Sequence, residues 1–157
     1  MIVIGLGKAG CRIAKVFSKF PQYATYGIDT NNDADITIKK RKSHEDYDAH
    51  FPSLKRKLKF TNEEIFLITC GSGQISGGVL RLIGQIQNNK IQVVYIQPDL
   101  ALLSETQKTQ EKIVRNVLQE YARSGALRSI YLIDNNQLEK SIGDVSIIGY
   151  YETINQA

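Results

Sequence analysis

Short apolar runs separated by stretches of helical periodicity constrain this chain more than any other feature. Met1–Gly5, Tyr23–Ile28, Ile65–Thr69, Ile91–Ile96 and Ser129–Ile133 are each short, apolar and followed by turn residues, so they read as buried strands. Between the first two, Ile13, Val16, Phe17 and Phe20 recur at helical spacing over Cys11–Phe20, with Arg12, Lys15 and Lys19 facing out and Pro21 closing the helix. Val79, Leu80, Ile83 and Ile86 repeat the pattern after the third strand. Ser104–Arg123 predicts a long amphipathic helix whose buried face carries Ile113, Val114, Val117, Leu118 and Tyr121, with Gly125 placed to end it. An edge strand is expected around Ile36–Ile38, followed by a basic connection. Ile147, Ile148, Tyr151 and Ile154 predict the start of a further helix. Such alternation specifies an α/β fold: a doubly wound, mostly parallel, Rossmann-like sheet with helices on both faces.

The 157 residues suit one domain and a sizeable core. With 42% hydrophobic and 23% charged residues, the composition excludes a disordered or low-complexity chain. No apolar run approaches the roughly 18–20 residues that span a bilayer, and no charged region precedes MIVIGL as a signal peptide requires. Cys11 and Cys70 lack metal-type spacing and are too few for a disulfide framework, so a reducing, cytoplasmic setting is expected, with no membrane partner and no metal site. The formal charge of +4 is concentrated in residues 39–60, which hold eight Lys and Arg against three acids. No aromatic interleaving or nucleic-acid motif accompanies these cations, so direct nucleic-acid binding is not the expectation and a solvated face is.

In doubly wound sheets ligands bind beyond the carboxyl ends of the strands. The first such loop is Gly5-Leu6-Gly7-Lys8-Ala9-Gly10, a G-x-G-x-x-G between strand and helix. Glycines there let backbone N–H groups approach a phosphate at a helix N-terminus. Cys11-Arg12 follows where a Walker A loop requires Lys-Ser or Lys-Thr. Cys11 is expected as a small packing residue whose thiol the helix N-terminus could acidify. Asp29, 19 residues beyond Gly10 at the end of the second strand, stands where an acid binds a ribose 2′-OH in dinucleotide sites. The third strand leads into a second glycine-rich turn, Gly71, Ser72, Gly73, Gln74, Ile75, Ser76, Gly77 and Gly78. The dinucleotide fingerprint does not call for a second such turn, whereas a ligand with several phosphates does. Ser76 could cap the following helix or reach a phosphate oxygen.

These motifs, in this order, resemble the tubulin/FtsZ superfamily of GTPases, and its TubZ-like plasmid and phage branch in particular. GLGKAGCRIAKVF at 5–17 is similar to the family's opening phosphate loop and helix, and GIDTNN at 27–32 to the A-x-N-T-[DN] ending its second strand. Gly73, Ser76 and Gly77 match the signature G-G-G-T-G-[ST]-G, in which Gln74 and Ile75 replace glycines. YIQPD at 95–99 puts Pro98 where the family has a Pro near the ribose. Asn135 in IDNNQL and Asn155 in YYETINQA take the places of the two family asparagines that contact guanine.

The resemblance implies a GTP- or GDP-binding domain over residues 1–157, with Mg²⁺, ending within the start of the family's central helix and without the family's second domain. It implies a cytomotive protein that forms head-to-tail filaments and can meet a DNA adaptor. It also implies binding with little turnover by these residues, because the family's catalytic acidic loop lies further along the chain and no catalytic residue is assigned here. Two alternatives stay open: an NAD(P)-binding Rossmann domain built on the first loop and Asp29, and an interaction module that keeps the fold without the ligand.

Overall fold

The structure, a computed structural model, describes residues 1–71 and 73–134. Its centre is β1 (Ile2–Leu6), every residue of which is buried. β1 pairs in parallel with β2 (Ala24–Asp29) on one side and β4 (Glu64–Cys70) on the other. The short β3 (Ile36–Thr37) extends the sheet beyond β2, and β5 (Lys90–Gln97) and β6 (Ser129–Asp134) extend it beyond β4. The order is β3-β2-β1-β4-β5-β6 and every pairing is parallel. This is the doubly wound arrangement whose strand order reverses beside the first strand.

Alternation along the strands sorts the core into two layers. Val3, Ile68 and Ile96 point to one face, where Ile13 and Ala14 of α1 (Gly7–Phe17) cover them. Ile4, Leu6, Leu67, Val93 and Tyr95 point to the other, beneath α2 (His44–Ala49), α3 (Val79–Gln85) and α4 (Glu105–Ser124). Helices therefore lie on both faces, as the alternation requires. Each fully buried aliphatic side chain in these layers contributes about 1.5–3 kcal/mol of transfer free energy. Among the described residues no helix is long and apolar enough to cross a membrane.

Several expectations need correction. α1 starts at Gly7, inside the glycine loop rather than at Cys11, and ends at Phe17. The Ser18 amide and hydroxyl both bond to the Lys15 carbonyl, and the helix stops at Phe17, four positions before Pro21. Phe20 consequently lies outside the helix and is exposed. On α4, Ile113 is 53% exposed, and the buried stripe is Gln110, Glu111, Val114 and Leu118. The stripe is rotated because the Glu111 carboxylate turns inward to accept a 3.0 Å hydrogen bond from the Tyr95 hydroxyl. Gly125 closes α4 at φ 85° as expected, while Ser104 stands just outside the helix and forms a capping box with Gln107. The basic connection contains the unforeseen α2, capped by the Ser43 side chain on the Asp46 amide. Residues 74–78 form a 3₁₀ turn before α3 begins. The helix expected from Ile147 lies outside the described residues.

Candidate functional site

The carboxyl ends of β1, β2 and β4 meet at the start of α1. A Cβ on Gly5 would overlap the Gly10 carbonyl, and one on Gly10 would come within 2.5 Å of the Ile68 carbonyl of β4. Both glycines let the first turn of α1 sit directly on the strand ends. Gly7 has φ +80°, the left-handed region that an L side chain adopts at a cost of about 1–2 kcal/mol, and this turns the chain from strand into helix. α1 has no side-chain N-cap bond and no acid in its first turn. Its leading N–H groups lack intrahelical partners and its own first turn carries no carboxylate, a condition that favours an anion.

Beside this turn, a groove of about 480 Å³ runs between α1 and the end of β2. Lys8, Cys11 and Arg12 line it from the helix, Asp29, Asn31 and Asp35 from the opposite side. Asp29 Oδ1 accepts the Thr30 amide at 2.8 Å, and Oδ2 lies 3.4 Å from Asn31 Nδ2. That leaves carboxylate lone pairs for a ligand hydroxyl. Asp35 Oδ2 accepts the Gly27 amide at 2.7 Å. β3 pairs only with Ile28 and Asp29, so this carboxylate takes the place of a ladder partner for Gly27. Cys11 fits closely against β2: its Sγ would lie 3.1 Å from a Cβ on Gly27. Burial, reinforced by the charges of Asp29 and Asp35, pushes its thiol up to about 12. The helix N-terminus therefore does not acidify Cys11; desolvation and two carboxylates outweigh it.

The second glycine-rich turn reaches the first. A methyl of Ile75 would lie 2.9 Å from a Cβ on Gly7, so the half-buried Ile75 packs over the left-handed corner of the loop. Three glycines of this turn are required by neighbours. A Cβ on Gly71 would overlap the Tyr95 hydroxyl, one on Gly77 the His44 carbonyl, and one on Gly78 the Phe51 ring. Gly73 and Gln74 face solvent. Ser76 is fully buried and donates to the Gly73 carbonyl at 2.6 Å, so its hydroxyl closes the turn from within.

The structure thus gathers Gly5, Gly7, Lys8, Ala9, Gly10, Cys11 and Arg12 with Asp29 around one corner, and places Ile75 above it. Pro98 follows β5 at the same carboxyl edge but does not line the groove. Ser72, Asn135 and Asn155 lie outside the described residues. Sequence reasoning missed Asp35, whose signal was an acid immediately before an edge strand. It also missed the buried Tyr95–Glu111 pair, with Arg115 Nε 3.4 Å from Glu111 Oε1. The signal there was a tyrosine inside an apolar strand and a Glu–Arg pair at helical spacing. The sequence matches no protein-family model and no curated protein.

Proposed function

We propose that this chain binds a guanine nucleotide, GTP or GDP, with its phosphates over the Gly5–Arg12 turn, as a domain of a tubulin/FtsZ-like, filament-forming protein. The observation carrying this reading is the meeting of the two glycine-rich turns, with Ile75 against Gly7. A chain of phosphates laid along that junction would take N–H groups from the start of α1, with Lys8 and Arg12 supplying positive charge at the groove. Among the described residues no cluster of three His, Cys, Asp or Glu could hold a metal, so Mg²⁺ would arrive coordinated by the phosphates themselves. Guanine selection rests on the resemblance and falls to Asn135 and Asn155. In the family, hydrolysis needs acidic residues inserted by the next subunit, so this chain alone binds without fast turnover.

A second reading, binding of NAD, is favoured by one observation: Asp29 lines the groove between β2 and α1, where a ribose diol would reach it. Thermal unfolding with GTP, GDP, NAD and NADP, each with Mg²⁺, separates the two, because a ligand at 100 times its Kd stabilises by about 2.7 kcal/mol. A rise in Tm with GTP or GDP alone supports the first reading. A rise only with NAD replaces it with the second, and no rise with any of them sinks both.

A further inference from the structure

The basic segment 39–60 folds into a groove of its own, separate from the one beside α1. We propose that this second groove binds the phosphate backbone of duplex nucleic acid without reading its sequence. It measures about 260 Å³ and lies beyond the carboxyl end of β3. Lys39, Arg41 and Lys57 line it together with Thr37 and Ser53. Lys39 and Lys57 are exposed, and among the described residues neither forms an ion pair. The two nearby acids already have partners: Asp46 binds His50, on the wall of the groove, at 2.7 Å, and Asp48 binds Arg81 at 3.2 Å. Lys39 and Lys57 are left for an outside anion.

The rim is held in place rather than draped over the surface. Gln85 of α3 accepts the Leu54 amide at 2.6 Å and donates to the Pro52 carbonyl at 2.9 Å. Arg41 donates to the His50 carbonyl at 3.4 Å, which ties the two walls together. Such fixing lowers the ordering cost of binding.

What the groove offers decides the partner. Its apolar floor of Ile38, Tyr47 and Leu54 is 4–6% exposed and Phe51 is half-buried against Gly78, so beside exposed Pro52 it presents charge and hydroxyls but no deep apolar pocket. An acidic peptide draws much of its affinity from apolar anchors, whereas phosphates need only cations and donors. Of the rings in the lining, Tyr47 is buried, Phe51 is half-buried against Gly78 and the exposed His50 is bound to Asp46, so none stands free as a stacking platform, which favours a duplex over a single strand. Lys40, Lys42, Lys55, Arg56 and Lys59 are exposed in the same segment and extend the positive surface past the groove, as a long polyanion requires. The sequence pattern alone did not point to nucleic acid; the preformed groove and its unpaired cations do.

Fluorescence anisotropy with a short labelled DNA duplex tests this. Three neutralised phosphates give a log–log salt slope near −2.7, so affinity should fall at least about 40-fold between about 50 and 200 mM salt. The triple variant Lys39→Gln/Arg41→Gln/Lys57→Gln should bind at least about tenfold more weakly at low salt, with a slope shallower by about 2–3. Lys90→Gln/Lys112→Gln/Arg123→Gln removes the same charge elsewhere and should bind like the unsubstituted chain. Circular dichroism checks that the variants fold. Should the triple variant fail that check, Lys39→Gln and Lys57→Gln singly should each reduce the slope by about 0.9. No duplex binding, equal losses in both triple variants, or tighter binding of polyglutamate than of duplex at the same salt would each overturn the proposal.

Discussion

Contact between the two glycine-rich turns can be measured as a coupling energy between Gly7 and Ile75. Gly7→Ala forces an L residue to φ +80°, at a cost of about 1–2 kcal/mol, partly offset by about 0.4–1 kcal/mol from the stiffer unfolded chain. The new methyl would also lie 2.9 Å from Ile75 Cγ2, closer than carbon atoms tolerate. Ile75 is half-buried and the clash is with the end of its side chain, so the overpacking cost sits near the low end of the usual range, about 1 kcal/mol. Gly7→Ala should therefore destabilise by about 2 kcal/mol in total. Ile75→Ala alone should cost about 1–2 kcal/mol, below the range for a fully buried isoleucine. In the double variant the methyl has room, and the cost of Gly7→Ala should shrink to its backbone part, leaving a coupling of about 1 kcal/mol. Urea unfolding followed by circular dichroism gives all four stabilities, provided the m values agree. Additivity within about 0.3–0.5 kcal/mol would show that the turns do not touch, and would remove the observation on which the nucleotide reading stands.

Two further outcomes follow from buried polar groups. Tyr95→Phe removes the hydroxyl that donates to Glu111, a carboxylate 1% exposed, and should destabilise by about 1–3 kcal/mol in urea unfolding. A loss below about 0.5 kcal/mol would mean that Arg115 alone satisfies that carboxylate. His44 is 8% exposed, its Nε2 has no hydrogen-bond partner among the described residues, and burial holds its pKa below the unfolded value of about 6.5. The unfolded chain then binds more protons between those two pKa values, so stability should be full above pH 6.5 and decline as pH falls through that window. His44→Gln should flatten the urea midpoint between about pH 7 and pH 5 relative to the unsubstituted chain; parallel pH profiles would refute this.

The sheet was legible in the sequence because its strands are short, largely apolar runs bounded by turn residues, buried throughout in β1 and at most positions in β4 and β5. The boundaries of β2, β4, β5 and β6 fall within one or two residues of those runs. α2 was not legible because a six-residue helix with two inward side chains, His44 and Tyr47, has no periodicity to detect. Glu111 was hidden for a different reason: a carboxylate reads as solvent-facing until the tyrosine that receives it, 16 residues earlier on β5, is placed beside it.

Glycine is the residue type on which sequence and structure differ most usefully. From the sequence, the glycines of both turns look alike, and all invite a phosphate. In space they separate by cause: Gly77 makes room for the His44 carbonyl, Gly78 for the Phe51 ring and Gly71 for the Tyr95 hydroxyl, contacts set by residues 24 to 33 positions away. Those three would be needed even if no ligand ever bound. Gly5 and Gly10 seat the helix on the strands, which serves the fold and the site at once. Gly7 differs, because its left-handed φ sets how the chain enters α1 and which way the first free N–H groups point. The weight of the nucleotide reading therefore moves from the number of glycines to one corner, Gly7 with Ile75 above it. In the tubulin/FtsZ signature that the sequence resembles, the place of Ile75 is a glycine; under the proposed reading a phosphate approaching that corner would meet a β-branched side chain, and nucleotide would bind only as tightly as Ile75 could move aside.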